Sequence, residues 1–199
     1  MNSERSGAAT PLSALSVTDF LARLRSDAPT PGGGAVAALV GALAAGLGQM
    51  AAALTIGKSR FSGVESQVRE IVARLSSAEQ ILTRLMDEDA AAYGQLSAAF
   101  KLAKADDTRA ARIARAAEIA AAVPLETASI AHRVAADLKR LRMIANPNLA
   151  SDVDAGGFLA RAAMEAAVAN VRVNLPLVDA PRRERLEAEL AALGCAGDS

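Results

Sequence analysis

The feature that most constrains the fold is a stretch from Gly32 to Gly57 that contains no Asp, Glu, Lys, Arg or His. Glycine and alanine make up most of it, which favours a helix that other backbones approach closely. A helix of this length is able to span a bilayer, so a membrane helix and the central helix of a bundle are both open interpretations. Small residues recur on one face: Gly34, Gly41 and Gly48 seven apart, with Ala38, Ala45 and Ala52 each four residues later.

The rest of the chain favours the bundle. The other predicted helices are charged and amphipathic, so we interpret the uncharged stretch as a central buried helix. Hydrophobic residues make up 52% of the chain, but aromatic residues only 3%, and no run has the alternating β-branched and aromatic residues of a strand. The predicted fold is therefore all-α, a single-domain helical bundle with a central Ala/Gly-rich buried helix.

Charge and cysteine content bound the partners and the compartment. Lys plus Arg and Asp plus Glu number 22 each, whereas nucleic-acid binding normally needs a basic excess. Residues 1–11 lack the apolar segment of a secretory signal. Cys195 is the only cysteine, which excludes an internal disulfide and disfavours zinc, although carboxylates alone would suit Mg²⁺. We expect a cytoplasmic protein with no nucleic-acid or membrane partner, no metal and no cofactor.

The chain is expected to form one domain. Residues 1–11 are predicted to be a disordered arm, and residues 12–199 a single helical domain. Ser16 and Asp19 have a capping-box-like spacing, and Pro124 is expected to kink or break a helix. The predicted helices cover about 16–25, 32–57, 64–103, 108–123, a further stretch to 144, 151–176, and a short stretch from 181.

The predicted helix over residues 64–103 has an apolar stripe that a carboxylate, Asp89, interrupts. Burial of an isolated carboxylate is costly and raises its pKa toward a range useful for proton transfer. The alternative is a structural Asp bonded to a neighbouring helix end. Asp87 and Glu88 flank the stripe and are expected to be solvated. Apart from the seven-residue step across Asp89, the apolar positions lie three or four residues apart; they are Val64, Val68, Ile71, Leu75, Ala78, Leu82, Leu85, Ala92, Leu96 and Ala99.

Three blocks of sequence together resemble the formiminotransferase-cyclodeaminase C-terminal family, over about residues 13–178. Members often carry Ser where this chain has Ala35 and Gly where it has Ala145, and Ala35 removes a possible hydroxyl contact. The blocks are residues 29–38, which include Pro-Gly-Gly-Gly, with 55–61; residues 86–93 with Val123-Pro124-Leu125; and residues 146–152 with 170–175.

The resemblance implies a homodimeric helical bundle that acts on the one-carbon bridge of tetrahydrofolate. The expected activity is hydrolysis of 5,10-methenyltetrahydrofolate to 10-formyltetrahydrofolate, as by a methenyltetrahydrofolate cyclohydrolase. The lack of a transferase domain in the sequence favours this over a formimidoyltetrahydrofolate cyclodeaminase, which releases ammonia and forms the same methenyl bridge. A non-catalytic folate-binding or dimerisation bundle is the alternative from another class.

Both reactions need a carboxylate beside the one-carbon centre, as base or as acid. Asp89 is the first candidate. Asp152 is the second, although it lies at a predicted helix N-terminus, where acidic residues are ordinary caps. Lys58 is expected to polarise the reacting centre or to pair with a folate carboxylate. The alternative is that Lys58 has no role in the reaction, since basic residues are common after helix C-termini.

Candidates for substrate binding lie in the glycine loop and on four polar side chains. Gly32, Gly33 and Gly34 precede a helix, so their N–H groups are placed to receive an anion or a carbonyl, with close helix packing as the alternative. The others are Arg60 for the glutamate carboxylates, Tyr93 and Asn146 for the pterin, and Asn170 for the pocket wall. Their alternatives are structural: helix-end charge, core packing, turn formation and, for Asn170 and the neighbouring Asn174, bonding between helices.

Overall fold

The computed structural model describes residues 10–194, and the all-α prediction is confirmed because every regular element among them is helical. Residues 1–9 of the expected disordered arm, and Cys195, lie outside the described residues. Single 3₁₀ segments connect several of the helices. The helices are α1 (Val17–Leu24), α2 (Gly33–Ala53), α3 (Glu65–Phe100), α4 (Arg109–Ile144), α5 (Ala150–Asn174) and α6 (Ala180–Ala192).

Helix α2 is the central helix, and α3, α4 and α5 all pack on it. Its small residues are buried, as the sequence predicted. A Cβ atom added to Gly48 would lie 2.6 Å from a methyl carbon of Leu75 in α3 and the same distance from one of Leu138 in α4. On the α5 side, a Cβ on Gly156 would lie 3.2 Å from the Ala44 carbonyl oxygen. The helices approach this closely only because these positions lack side chains.

The seven-residue spacing of the α2 glycines is matched by an equal spacing on α3. The two helices run antiparallel, and each glycine lies opposite one α3 side chain that fills the space where a Cβ would be. Two of these side chains are leucines and the third is a carboxylate. We call these three contacts the glycine seam: Gly48 with Leu75, Gly41 with Leu82, and Gly34 with Asp89.

The apolar stripe on α3 is buried as predicted, with Leu75, Leu82 and Leu85 fully enclosed. An ion pair that the sequence analysis did not identify joins α3 to α4. Arg74 donates from Nε and Nη2 to the carboxylate of Asp137, at 2.7 Å for Nη2, and Asp137 is 7% exposed. This two-point geometry fixes the register of the two long helices.

Pro124 was expected to kink or break a helix, and the break is wrong, because α4 continues through it from Arg109 to Ile144. A proline has no N–H and leaves the carbonyl four residues earlier without its helical donor. That carbonyl belongs to Ala120, and it accepts a hydrogen bond from Asn174 Nδ2 at 3.0 Å instead. Packing on α5 therefore replaces the missing bond and keeps the helix continuous.

The N-terminal end of the domain is attached to α3 by a carboxylate that was expected in solvent. Asp87 accepts hydrogen bonds from the backbone N–H groups of Leu12 and Ser13 and from the Ser13 hydroxyl. The next helix, α1, begins as predicted, with Ser16 Oγ accepting from the Asp19 N–H. Asp87 thus orders the segment that precedes α1.

Within residues 10–194, α2 is the one helix long and apolar enough to cross a membrane. Half of its most apolar window is buried inside the bundle. This burial agrees with the interpretation of α2 as a core helix. A core helix can have the same length and apolar composition as a membrane span.

The glycine seam predicts a strong dependence on residue size at Gly48. We expect Gly48→Val to lower the free energy of unfolding by about 1–3 kcal/mol, because the added atoms overpack the contact with Leu75 and Leu138. Gly94→Val in α3 is the matched control, since a Cβ there meets nothing within 4 Å. Urea unfolding at one protein concentration measures both variants, and equal stabilities would contradict the close-packing account.

Candidate active site

A cavity of about 300 Å³ lies at the N-terminus of α2, where the glycine seam ends in a carboxylate. The loop before α2 contains a cis peptide bond between Thr30 and Pro31. Residues from α3, α4 and α5 complete the walls. The lining residues are Pro29, Thr30, Gly32, Gly33, Gly34, Asp89, Ala92, Tyr93, Leu96, Ala120, Asn170, Val173 and Asn174.

Asp89 is held against the first turn of α2. Its Oδ2 accepts a hydrogen bond from the Ala35 N–H at 2.9 Å. A Cβ on Gly34 would lie 2.0 Å from Asp89 Oδ1, closer than any two such atoms can approach, so glycine is required there. The first turn of α2 therefore receives an anion, but the donor is the Ala35 N–H rather than one of the three glycines, and the anion is the chain's own carboxylate.

Burial raises the pKa of the Asp89 carboxyl above its ordinary range, and the hydrogen bond from Ala35 opposes that rise. The positive end of the α2 macrodipole also favours the ionised form. Asp89 thus binds a proton more tightly than a solvated Asp would, while the helix terminus favours its ionised form. These are the properties of a group that accepts and then returns a proton.

The charge of the cavity is set by this one residue. Among the described residues that line it, Asp89 is the only charged one. The other polar groups are neutral: the Thr30 and Tyr93 hydroxyls and the amides of Asn170 and Asn174. A cavity with one partly buried carboxylate and neutral walls suits a cationic ligand.

The two asparagines form the wall that α5 contributes. Asn170 Nδ2 donates to the Ala166 carbonyl at 2.8 Å, and a Cβ on Gly33 would lie 2.9 Å from that nitrogen. Asn174 Nδ2 donates to the carbonyls of Ala120 and Asn170, each at 3.0 Å. Because Gly33 has no side chain, there is space beside it for the Asn170 amide.

Six of the predicted site residues meet in this cavity: Asp89, Gly32, Gly33, Gly34, Tyr93 and Asn170. Tyr93 lies one turn after Asp89 and is 46% exposed, so its ring is not part of the core. That placement leaves the ring free for contact with a ligand.

The remaining candidates lie near the other end of α2, a helix of 21 residues and about 30 Å. Arg60 Nη2 donates to Asn146 Oδ1 at 2.7 Å, and the Asn146 N–H donates to Thr55 Oγ1 at 3.0 Å. Asn146 also caps the following 3₁₀ turn. Lys58 is exposed just after α2, and Asp152 lies in the first turn of α5. One chain does not bring these four residues to the cavity.

The sequence analysis missed the contribution of α4 to the site. Ala120 lines the cavity, and its carbonyl is available to Asn174 because of Pro124. A proline inside an otherwise strong helix pattern was the available signal, but it was interpreted as a kink or a break. In residues 10–194, no three His, Cys, Asp or Glu side chains gather into a possible metal site.

Comparison with known proteins gives a consistent family. The sequence profile of the formiminotransferase-cyclodeaminase family matches residues 16–192. The chain is similar to a methenyltetrahydrofolate cyclohydrolase of Methylorubrum extorquens, with 33% identity over 187 residues that cover 89% of this chain and 90% of the relative.

Two further matches are a longer relative and a solved structure. The chain is similar to the formimidoyltransferase-cyclodeaminase of Mus musculus, at 30% identity over 89% of this chain, and spans about a third (34%) of that relative. The crystal structure of a formiminotetrahydrofolate cyclodeaminase from Thermotoga maritima matches with a TM-score of 0.85 and 30% identity, covering 93% of this chain and 91% of that one.

The raised pKa of Asp89 predicts that Asp89→Asn stabilises the fold at neutral pH. The folded state holds the Asp89 proton more tightly than the unfolded state, so the contribution of Asp89 to wild-type stability falls as pH rises from about 4 through the folded-state pKa. The variant lacks this loss. Its urea midpoint is therefore expected to exceed the wild-type midpoint at pH 8, and the two are expected to converge near pH 4.

Asp106→Asn is the control with the opposite sign. Hydrogen bonds from the Thr108 hydroxyl and N–H lower the pKa of Asp106. That variant is expected to be less stable than wild type at pH 8, with the difference vanishing as the carboxyl protonates at low pH. A lower midpoint for Asp89→Asn at pH 8 would show that the bond to Ala35 outweighs the burial of charge.

Proposed function

The chain belongs to the formiminotransferase-cyclodeaminase family, as its sequence blocks predicted, and we propose that it is a methenyltetrahydrofolate cyclohydrolase. It hydrolyses 5,10-methenyltetrahydrofolate to 10-formyltetrahydrofolate in cytoplasmic one-carbon metabolism, without a cofactor. The observation that carries the proposal is Asp89, a partly buried carboxylate at a helix N-terminus in a cavity with neutral walls. The Methylorubrum relative supports it, since 90% of that protein aligns with this chain.

The substrate is a cation whose positive charge is spread over N5, the bridge carbon and N10. Asp89 attracts that charge and takes a proton from the attacking water as the water oxygen bonds to the bridge carbon. The carbon–N5 bond then breaks, and N5 receives the proton from Asp89. The remaining hydroxyl proton leaves to solvent as the formyl C=O forms on N10, so one water is consumed and one proton is released.

The geometry of Asp89 fits both proton transfers. The Ala35 N–H holds Oδ2, whereas Oδ1 packs against the Gly34 position at the edge of the cavity and accepts no described hydrogen bond. The raised pKa lets the carboxyl hold the proton between the two steps. Tyr93 and the asparagines of α5 surround the fused ring of the substrate, and the loop containing Gly32 closes one side.

Cyclodeamination is the second candidate, because the Thermotoga structure of the same fold has that activity in its name. In that reaction N10 attacks the formimino carbon and ammonia leaves, for which Asp89 acts as the proton donor. The same cavity serves both reactions because both pass through the methenyl bridge. The substrate assays below separate them.

The first prediction from this function concerns turnover. Purified chain is expected to accelerate the loss of methenyltetrahydrofolate near-ultraviolet absorbance over the spontaneous rate, and to release no ammonia from 5-formiminotetrahydrofolate. Ammonia release would assign the chain to cyclodeamination instead. Inactivity on both substrates would contradict the proposed function and leave a non-catalytic bundle.

The same assay tests the catalytic residue. Asp89→Asn is expected to lower kcat by about 10²–10⁴-fold, the usual contribution of a proton-transfer group. Helical circular dichroism should be unchanged, because the amide oxygen still accepts from Ala35. Asp106→Asn, remote from the cavity, is expected to keep wild-type turnover. Full activity in Asp89→Asn would remove this residue from the mechanism.

A homodimer is the second part of the proposal. Helix α2 presents an exposed apolar face with Leu43, Met50 and Leu54, which are 54%, 39% and 45% exposed. This face borders an apolar groove of about 730 Å³ between α1 and α2, whose α1 side includes Val17 and Leu21. Large contiguous apolar surfaces of this kind mark association sites. A second copy of the chain is the occupant that we propose.

The dimer gives a role to the candidates at the far end of α2. Folate has an anionic glutamate tail, yet no described lining residue of the cavity is cationic. A two-fold axis crossing α2 near its middle places the helices of two chains antiparallel. Lys58 and Arg60 of the partner subunit then approach the cavity containing Asp89, and the partner's Asn146 and Asp152 lie behind them.

Leu43→Arg tests both the dimer and the sharing of the site. The charge is expected to convert the dimer to a folded monomer in light scattering after size exclusion, and turnover is expected to fall with it. Met143→Arg on α4 is the control, because Met143 is also an exposed apolar residue, at 81%. A monomeric Leu43→Arg with wild-type turnover would show that one chain holds the complete site.

A further inference from the structure

Helix α4 contains a fully buried proline next to the cavity, at a position where alanine would suit the helix better. Pro124 lies well inside a helix of 36 residues, far from both ends. Its ring cannot donate the hydrogen bond that every neighbouring residue donates. A proline at this position is unfavourable for the helix itself. Its effect lies in the carbonyl group that the missing hydrogen bond leaves free.

The released group is the carbonyl of Ala120, which lines the cavity. Its partner is Asn174 Nδ2 on α5, at 3.0 Å and 54 residues later in the chain. The same nitrogen donates to the Asn170 carbonyl, also at 3.0 Å. Two carbonyl oxygens therefore bind the two hydrogens of one amide group.

This double contact determines which atom Asn174 offers to the cavity. With both N–H groups engaged, the amide cannot rotate or exchange its ends without losing a bond. Its Oδ1 is then an acceptor only, and no described group donates to it in the hydrogen bonds of the structure. No side-chain oxygen of the described residues is both sealed in the interior and unsatisfied, so this oxygen is accessible.

We infer that Pro124 is a positioning residue for Asn174, and that the Asn174 Oδ1 so fixed accepts a hydrogen bond from an N–H of the bound pterin ring. This inference rests on the proposed function and adds the binding contact to it. Pro124 acts at a distance: it frees the Ala120 carbonyl, and that carbonyl anchors the amide. Asn174 touches the substrate, whereas Pro124 does not.

The chemistry of the ligand agrees with an acceptor at this place. A reduced pterin presents N–H donors on its ring and its exocyclic amino group, and an acceptor fixed in advance binds such a donor without first being ordered. Asp89, which lines the same cavity from α3, faces the cationic bridge. The two groups together orient the fused ring between α3 and α5.

A cycle of Pro124→Ala, Asn174→Ala and the double variant tests the inference. Asn174→Ala is expected to raise KM for methenyltetrahydrofolate about 2- to 10-fold, the fold-change of one neutral hydrogen bond, with kcat little changed. Pro124→Ala is expected to raise KM by less, because the new N–H competes for the Ala120 carbonyl. In the Asn174→Ala background, Pro124→Ala is expected to have no effect on KM.

The two single variants are expected to change stability in opposite directions. Pro124→Ala should raise the urea midpoint, since alanine restores the helical bond. Asn174→Ala should lower it by leaving the Ala120 carbonyl without a donor, and the double variant should recover that loss. If Asn174→Ala is too unstable to assay, the double variant supplies the KM value. Pro181→Ala, at the N-terminus of α6, is the control that should leave KM unchanged.

The outcomes separate this inference from the proposed function. A wild-type enzyme that turns over substrate, with unchanged KM in Pro124→Ala or with additive effects in the cycle, overturns the inference alone. If wild type does not turn over substrate but binds tetrahydrofolate in calorimetry, the same cycle is measured in Kd. A wild-type chain that neither turns over nor binds the folate overturns both.

Discussion

The fold depends on close contact between the glycines of α2 and the side chains of α3. At Gly48 and Gly41 those side chains are Leu75 and Leu82, and their methyl groups occupy the space that a Cβ would fill. At the third contact the spacing is kept, but the side chain is Asp89. The active-site candidate is therefore one repeat of the packing that builds the core, with a carboxylate in place of a leucine and a helix N-terminus to stabilise its charge.

Much of this was accessible from the sequence. The period of the glycines identified α2 as central, and the period of the α3 stripe placed Asp89 on its buried face. Both series repeat every seven residues, which is the signal for their contact. The register is not readable from one sequence, however, because shifting α3 by seven residues would pair Gly34 with Leu82 equally well.

The remaining features arise from contacts between residues distant in the chain. Asn174 satisfies a carbonyl 54 positions earlier, a contact that local propensity does not reveal. Of the kink or break expected at Pro124, the break was therefore wrong. Lys58 and Arg60 were grouped with Asp89 because the family resemblance placed them together. A helix of about 30 Å separates them within one chain. Local pattern identifies which side chains are unusual, whereas their neighbours follow only from tertiary packing.

Two locally unfavourable residues, Asp89 in the cavity and Pro124 one turn after the lining residue Ala120, are each compensated by another element. Gly34 and Asp89 are linked most tightly, since any side chain at the first position would occupy the space of the carboxylate. An alanine at position 34 would displace the Asp89 carboxylate. Without that carboxylate, the packing would no longer require glycine at position 34. In the divergence of related chains the two positions should therefore be inherited as a unit, and a relative with a side chain at the first is expected to have given up the chemistry of the second.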